Sequence, residues 1–174
     1  MKVLFTTDKS GLELDTFDRV ILPINRCETI KVAEVAARCR SNNIQYSWQI
    51  RENDAKLLMQ EGLDPYPLIH GDIGVSWFYT MLFPFEIWGR LQIINFHAGD
   101  PGPHALKKAI ELGLPTIRCI WHWVDSGVDT GKVIAESTIN LPTNFDKARK
   151  WVIEEGTRLF KEDVHDFRLR QEAI

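Results

Sequence analysis

The stretch LQIINFHAGDPG, residues 91–102, decides the architecture. Its first half is an apolar run that reads as a buried strand, and its second half is a Gly- and Pro-punctuated loop that ends it. Alternate residues of a strand share a face, so Ile93, Asn95 and His97 point the same way. An amide and an imidazole therefore emerge side by side where the strand gives way to the loop. Pro103 reads as a first helical residue, and the helix runs through HALKKAIEL to a C-terminal cap at Gly113. In open α/β sheets ligands bind at the carboxyl ends of the strands, which is where Asn95 and His97 fall. Taken alone, the segment is equally an ordinary strand end whose Asn and His bond to loop backbone.

Outward from this segment the alternation continues. Residues 2–6 read as a first strand and 19–22 as a second, stopped by Pro23. A helix follows, with Val32, Val35, Ala36 and Cys39 on one face and Ser41-Asn42-Asn43 ending it. Residues 45–50 alternate as a strand, and 54–61 form a short helix closed by Gly62. The run GVSW, residues 74–77, is a buried strand leading into FYTMLFP. Beyond Gly113, residues 116–124 and 132–139 are strands. The last helix carries Ala148, Trp151, Val152 and Leu159 on one face, capped by Thr143 or Asn144. No repeat or linker interrupts the pattern. Strands alternating with helices imply a three-layer α/β/α arrangement with a mostly parallel, twisted sheet, and 174 residues are enough for one domain.

Composition narrows the function. Net charge is −3 at pH 7, which leaves no electrostatic footprint for nucleic acid or an anionic membrane. The longest apolar stretch, residues 75–88, contains Pro84 and Glu86 and is shorter than the roughly 20 residues of a bilayer span. The opening MKVLFTTD is too short for a secretory apolar region. Cys27, Cys39 and Cys119 are odd in number and far apart, which reads as buried or half-buried thiols in a reduced, cytoplasmic protein.

A second informative segment is WHWVDSGVDTGKVI, residues 121–134, which follows another apolar strand. Asp129 stands in a tight turn of small residues, with Asp125 as the competing acid; either could be a turn aspartate bonding its own backbone. In order, the two segments run Asn95-Phe96-His97, a Gly102-Pro103 loop, a helix to Gly113, a strand, then Gly127-Val128-Asp129-Thr130-Gly131. This order resembles the folate-dependent formyltransferase family, whose catalytic domain is Rossmann-related. The family includes glycinamide ribonucleotide, methionyl-tRNA and sugar N-formyltransferases, with formyltetrahydrofolate hydrolase as a relative. Residues 75–84 are similar to the family's apolar strand and its loop ending in Leu-x-Pro, and the likeness is good over residues 72–139.

The resemblance implies an enzyme that moves a formyl group from 10-formyltetrahydrofolate to a primary amine of a small acceptor, a sugar nucleotide or nucleotide among the options. That is an acyl transfer, in which an amine attacks the formyl carbon and oxyanion character develops. Such a reaction needs hydrogen-bond donors at the oxygen and a route for protons. By resemblance Asn95 and His97 face the formyl oxygen, while Asp129 holds His97 or an ordered water and favours the charged imidazole. No metal is needed. The pterin ring is implied to lie on backbone of Tyr79, Thr80, Met81 and Leu82 and of Val124, Asp125, Ser126 and Val128. The same three catalytic residues would serve hydrolysis of 10-formyltetrahydrofolate, and a non-catalytic folate-binding module is a further reading.

The chain also departs from the family. Relatives follow Asn-x-His with Pro-Ser-Leu-Leu-Pro and more, whereas here only Ala98-Gly99-Asp100-Pro101 precede Gly102. The shortened loop puts Asp100 and His104 near the acceptor. TTDKSGLELD has one glycine and is a poor phosphate cradle, and the expected single domain lacks the carboxyl-terminal OB domain of methionyl-tRNA formyltransferase. A metal site built on His97, His104 and His122 matches no common spacing and would show itself by loss of activity on chelation. Trp121 and Trp123 share a strand face with His122 on the other, and Trp151 belongs to the helix core. Trp77 or Trp123 is available for stacking on a ring. For the charged tail, residues 161–174, a solvated helix and a homodimer contact are both open.

Overall fold

The computed structural model describes residues 1–102 and 104–164. Pro103, read above as a first helical residue, and most of the charged tail lie outside the described residues. The chain forms an α/β fold around a seven-stranded sheet in the order β3-β2-β1-β4-β5-β6-β7. Its contacts group into two compact units, Met1–Ile94 and Asn95–Ile174.

The first unit contains β1 (Lys2–Thr6), β2 (Arg19–Pro23), α1 (Ile30–Ser41), β3 (Gln45–Gln49), α2 (Glu52–Gln60), β4 (Ile73–Trp77) and α3 (Phe85–Trp88), and β5 (Gln92–Ala98) begins there. Its strand pairs are parallel, with Phe5 opposite both Ile21 and Ser76. Parallel strands covered on both faces are apolar throughout rather than alternating. Accordingly Val3, Leu4, Phe5, Val20, Ile21 and Leu22 are all fully buried. Helix α1 buries Val32, Val35, Ala36 and Cys39, the face its periodicity predicts, and Thr29 caps it by accepting the Val32 amide. Trp77 is buried and donates its indole N–H to the Ser10 carbonyl at 2.6 Å. That closes the possibility of Trp77 stacking on a ligand.

The second unit takes the end of β5 and adds α4 (Ala105–Glu111), β6 (Thr116–Trp123), β7 (Val133–Asn140) and α5 (Phe145–Leu159), which runs on as a π-turn over Phe160–Val164. Strands β6 and β7 are antiparallel, with a register shift at Trp121/His122. Helix α4 starts later than its sequence suggests. His104 adopts a left-handed conformation (φ 61°) ahead of the first turn instead of entering it. At the other end Gly113 has φ 64°, and its amide and that of Leu114 return to Ile110 and Ala109, a Schellman-type end that glycine permits without strain.

Asn144 is the cap of α5, its side chain accepting the Lys147 amide at 2.9 Å. The buried face of α5 is Ala148, Val152, Gly156 and Leu159. Trp151 is not part of it. Gly156 takes the inward position, and Trp151 turns outward under the Lys147 ammonium, 5.1 Å from the ring centre. The thiols also divide: Cys39 and Cys119 are buried, but Cys27 is exposed, contrary to expectation, at the end of a short helical turn. Burial pushes the Cys119 thiol up to about 12, which keeps it protonated and unreactive. Among the described residues no helix is long and apolar enough to cross a membrane.

Candidate active site

Three segments of the second unit converge on Asp129: the end of β5, the loop after it, and the turn between β6 and β7. The Asn95 amide donates to Asp129 Oδ1 at 3.1 Å. The Gly102 backbone amide donates to Oδ2 at 3.0 Å, and His97 Nδ1 lies 3.3 Å from that oxygen. Asp129 is therefore bonded across the fold and is not merely a turn residue satisfying its own backbone. Asp125 is the residue that does that, accepting the Gly127 amide at 2.9 Å and the Thr130 hydroxyl at 2.7 Å. Asp129 itself has φ 54°, a conformation that Asp and Asn tolerate better than other side chains.

His122 completes the cluster, and its sequence position suggested only a metal reading. It is buried on β6, and its Nδ1–H donates to the Trp123 carbonyl at 2.8 Å. That bond requires a proton on Nδ1, and Nε2 lies 3.2 Å from the Asn95 amide nitrogen and 3.5 Å from Asp129 Oδ1. The signal in the sequence was its place opposite Trp121 at the carboxyl end of a strand. Its partner could not be read from there. His97 Nε2 donates to the Asp100 carbonyl at 2.6 Å. Both His97 nitrogens thus face acceptors.

The His122 ring, the Gly102 amide and the His97 ring hold the Asp129 carboxyl down at about 2, against burial that opposes ionisation. Folded Asp129 thus binds its proton less readily than the unfolded chain. Its stabilising contribution is complete above the ordinary value of 3.8 and is lost as pH falls through about 2. In urea unfolding at several pH values, the advantage of the wild type over Asp129→Asn is expected to shrink by on the order of 2 kcal/mol across that window. A constant difference would remove the linkage.

The turn has little room. A Cβ on Gly131 would stand 1.7 Å from the Trp123 carbonyl oxygen, the acceptor that fixes the His122 ring. Gly131→Ala is therefore expected to cost about 1–3 kcal/mol in thermal or urea unfolding. It should also disturb His122 and Asp129 together; a neutral substitution would contradict this packing.

Of the other residues singled out from the sequence, Asp100 reaches the cluster through its backbone carbonyl while its side chain is exposed. His104 is exposed and takes no part in the bonds around Asp129. Val124 is half-buried, and Asp125, Ser126 and Val128 are exposed. In the first unit, Tyr79 stacks on Phe83 with ring centres 5.4 Å apart and donates its hydroxyl to Gln49 at 2.9 Å. Gln49 in turn donates to the Leu82 carbonyl at 2.8 Å. Thr80 and Leu82 are exposed and Met81 is half-buried. Among the described residues no group of three or more His, Cys, Asp or Glu is arranged to hold a metal ion.

No protein-family model matches the chain. It is 30% identical over 101 residues to the trifunctional purine biosynthetic protein adenosine-3 of Drosophila melanogaster, a match covering 47% of this chain and 8% of that protein. The counterpart in Drosophila pseudoobscura pseudoobscura is 38% identical over 62 residues, 33% of this chain and 4% of that protein. The chain thus spans less than a tenth of the curated relatives it matches. Among solved structures, the phosphoribosylglycinamide formyltransferase of Streptococcus pneumoniae TIGR4 superposes with a TM-score of 0.70 at 20% identity, over 95% of this chain and 97% of that one. Glycinamide ribonucleotide transformylase 1 of Symbiobacterium toebii gives 0.65 at 18% identity, over 92% and 84%. HypX from Aquifex aeolicus, a variant, gives 0.59 at 19% over 97% of this chain and 27% of that chain. The chain has the formyltransferase fold.

Proposed function

We propose that the chain transfers a formyl group from 10-formyltetrahydrofolate to a primary amine of a small acceptor, of sugar-nucleotide or nucleotide type. The observation that carries this reading is the convergence of Asn95 and His97 on an ionised Asp129 at the carboxyl end of β5. The donor set suits the donor molecule: an amide, an imidazole and a carboxylate are what acyl transfer needs, and none of them is a redox group. When bound, 10-formyltetrahydrofolate supplies the carbonyl carbon that the amine takes. The backbone of Val124, Asp125, Ser126 and Val128 would hold its ring.

Asn95 and His97 would donate to the oxygen on which negative charge grows. At rest both are engaged, Asn95 by Asp129 and His122 and His97 Nε2 by the Asp100 carbonyl. Productive binding therefore requires His97 to exchange that carbonyl for the reacting oxygen. Asp129 would keep the imidazole oriented while the new C–N bond to the amine forms, the formyl C–N bond to the folate breaks, and the amine proton passes to the departing folate nitrogen.

Calorimetric titration with a stable 10-formyltetrahydrofolate analogue tests the donor half; saturable binding at one site per chain is expected. Folded protein that binds none of it would remove the assignment. Formate release without any amine would mark the hydrolytic use of the same residues.

A further inference from the structure

Strand β3 stands at one end of the sheet and pairs with β2 alone among the described residues. Alternate N–H and C=O groups along its outer side therefore have no neighbouring strand to bond. Exposed edges are commonly blunted by lysine, proline, an inward charge or a bulge. None of these residues occurs in 44–50, Ile-Gln-Tyr-Ser-Trp-Gln-Ile, and the register with β2 runs from Gln45 to Gln49 without a shift. The strand at the opposite edge, β7, differs on both counts: it carries Glu136, and its pairing with β6 has a register shift.

By residue type the segment reads the same in both directions. Ser47 is its centre, flanked by Tyr46 and Trp48, then by Gln45 and Gln49, then by Ile44 and Ile50. When two copies pair antiparallel about a twofold axis, each residue meets the one equally far from the centre on the other side. Centred on Ser47, that register sets Tyr46 of each copy against Trp48 of the other, and Ile44 against Ile50. Tyr46 and Trp48 are half-buried, share one face of β3 and have ring centres 6.4 Å apart. Arg40, near the end of α1, donates to the Tyr46 hydroxyl at 2.8 Å. The other face carries Gln45, Ser47 and Gln49. Gln45 accepts from Arg19 at 2.8 Å, and buried Gln49 bonds the Leu82 carbonyl and the Tyr79 hydroxyl. Both glutamines are thus engaged within their own chain, which leaves backbone groups and the aromatic pairs to meet another strand.

We infer that the outer edge of β3 docks a second copy of this chain, the two β3 strands joining antiparallel about Ser47 into one continuous sheet. The register identifies the occupant. An unrelated strand would need matching side chains of its own, whereas this one matches itself, and cross-strand aromatic pairs are among those that stabilise sheets. One strand edge is a small interface, so the association is weak and depends on concentration. It is independent of the formyl-transfer reading.

The test is sedimentation velocity of the whole chain from micromolar to near-millimolar concentration, where a reversible shift from monomer to dimer is expected. Ser47→Glu should weaken the dimer by about tenfold or more, because two carboxylates then face each other and lose water together. Circular dichroism of the same samples shows that this variant is folded. Cross-linking reads the register independently, in a Cys27→Ser background because Cys27 is the exposed thiol. Residues directly opposite each other in an antiparallel pair have Cα atoms about 4.5–5.5 Å apart, within reach of a disulfide. Ser47→Cys is therefore expected to form a covalent dimer on mild oxidation. Gln45→Cys is expected to form none, since the two copies of position 45 would lie about 13 Å or more apart along the strands. A single-chain mass at every concentration would overturn the inference. So would a dimer unaffected by Ser47→Glu, or cross-linking at position 45 as readily as at 47.

Discussion

If the proposed formyl transfer is the chain's activity, replacing Asp129 by Asn is expected to lower its rate by about 10²–10⁴-fold while leaving affinity for a folate analogue within a few-fold of the wild type. The Asn variant is the informative one because position 129 sits at φ 54°, which Asn accepts and Ala does not accept without strain. Shape and backbone are thus conserved and the charge is removed. The carboxylate receives Asn95 on one oxygen and Gly102 on the other, with His97 3.3 Å away. An amide has only one acceptor atom, and its NH₂ would confront a donor on the other side. The imidazole of His97 loses its charged orienting partner. Steady-state rates with any accepted amine, alongside calorimetry, would check this. Activity within a few-fold of the wild type would sink the role given to Asp129.

Trp121→Ala is expected to destabilise the chain by about 3–5 kcal/mol in urea unfolding. The indole is completely buried and lies against Phe96 and Phe160, with ring centres 5.3 and 5.1 Å apart. Its N–H donates to the Gly156 carbonyl at 2.9 Å, and Gly156 is buried on α5 at a position where the helix has no side chain. The deletion therefore opens a large cavity and leaves a buried carbonyl without that donor. Trp121 also stands next to His122, at the register shift of β6, so the loss should reach the Asp129 cluster. Trp121→Phe keeps most of the ring volume and removes the hydrogen bond, and a cost of about 1–3 kcal/mol is expected. A loss below about 1 kcal/mol for the Ala variant would show that this packing does not hold the second unit together.

Sequence alone determined those features whose physics is local. A period of 3.6 put Val32, Val35, Ala36 and Cys39 on the buried face of α1, and a period of two put Asn95 and His97 on one face of β5. Apolar runs bounded by Pro and Gly located the strands, because burial on both faces leaves little choice of side chain. The resemblance to formyltransferases supplied Asp129, which no periodicity would have separated from Asp125. Tertiary structure alone decided the rest. His122 became Asn95's neighbour because β5 and β6 are adjacent in the sheet, a relation between residues 27 positions apart along the chain. The Gly102 amide and the Asp100 carbonyl entered the site as backbone groups, which every residue possesses and no sequence pattern marks. The Trp121 indole closes on the Gly156 carbonyl, while Trp151 faces outward under Lys147, and both are contacts that no single helix's periodicity marks. The free edge of β3 belongs to the same class: its run of residues is local, but its place at the end of the sheet exists only after the chain has folded.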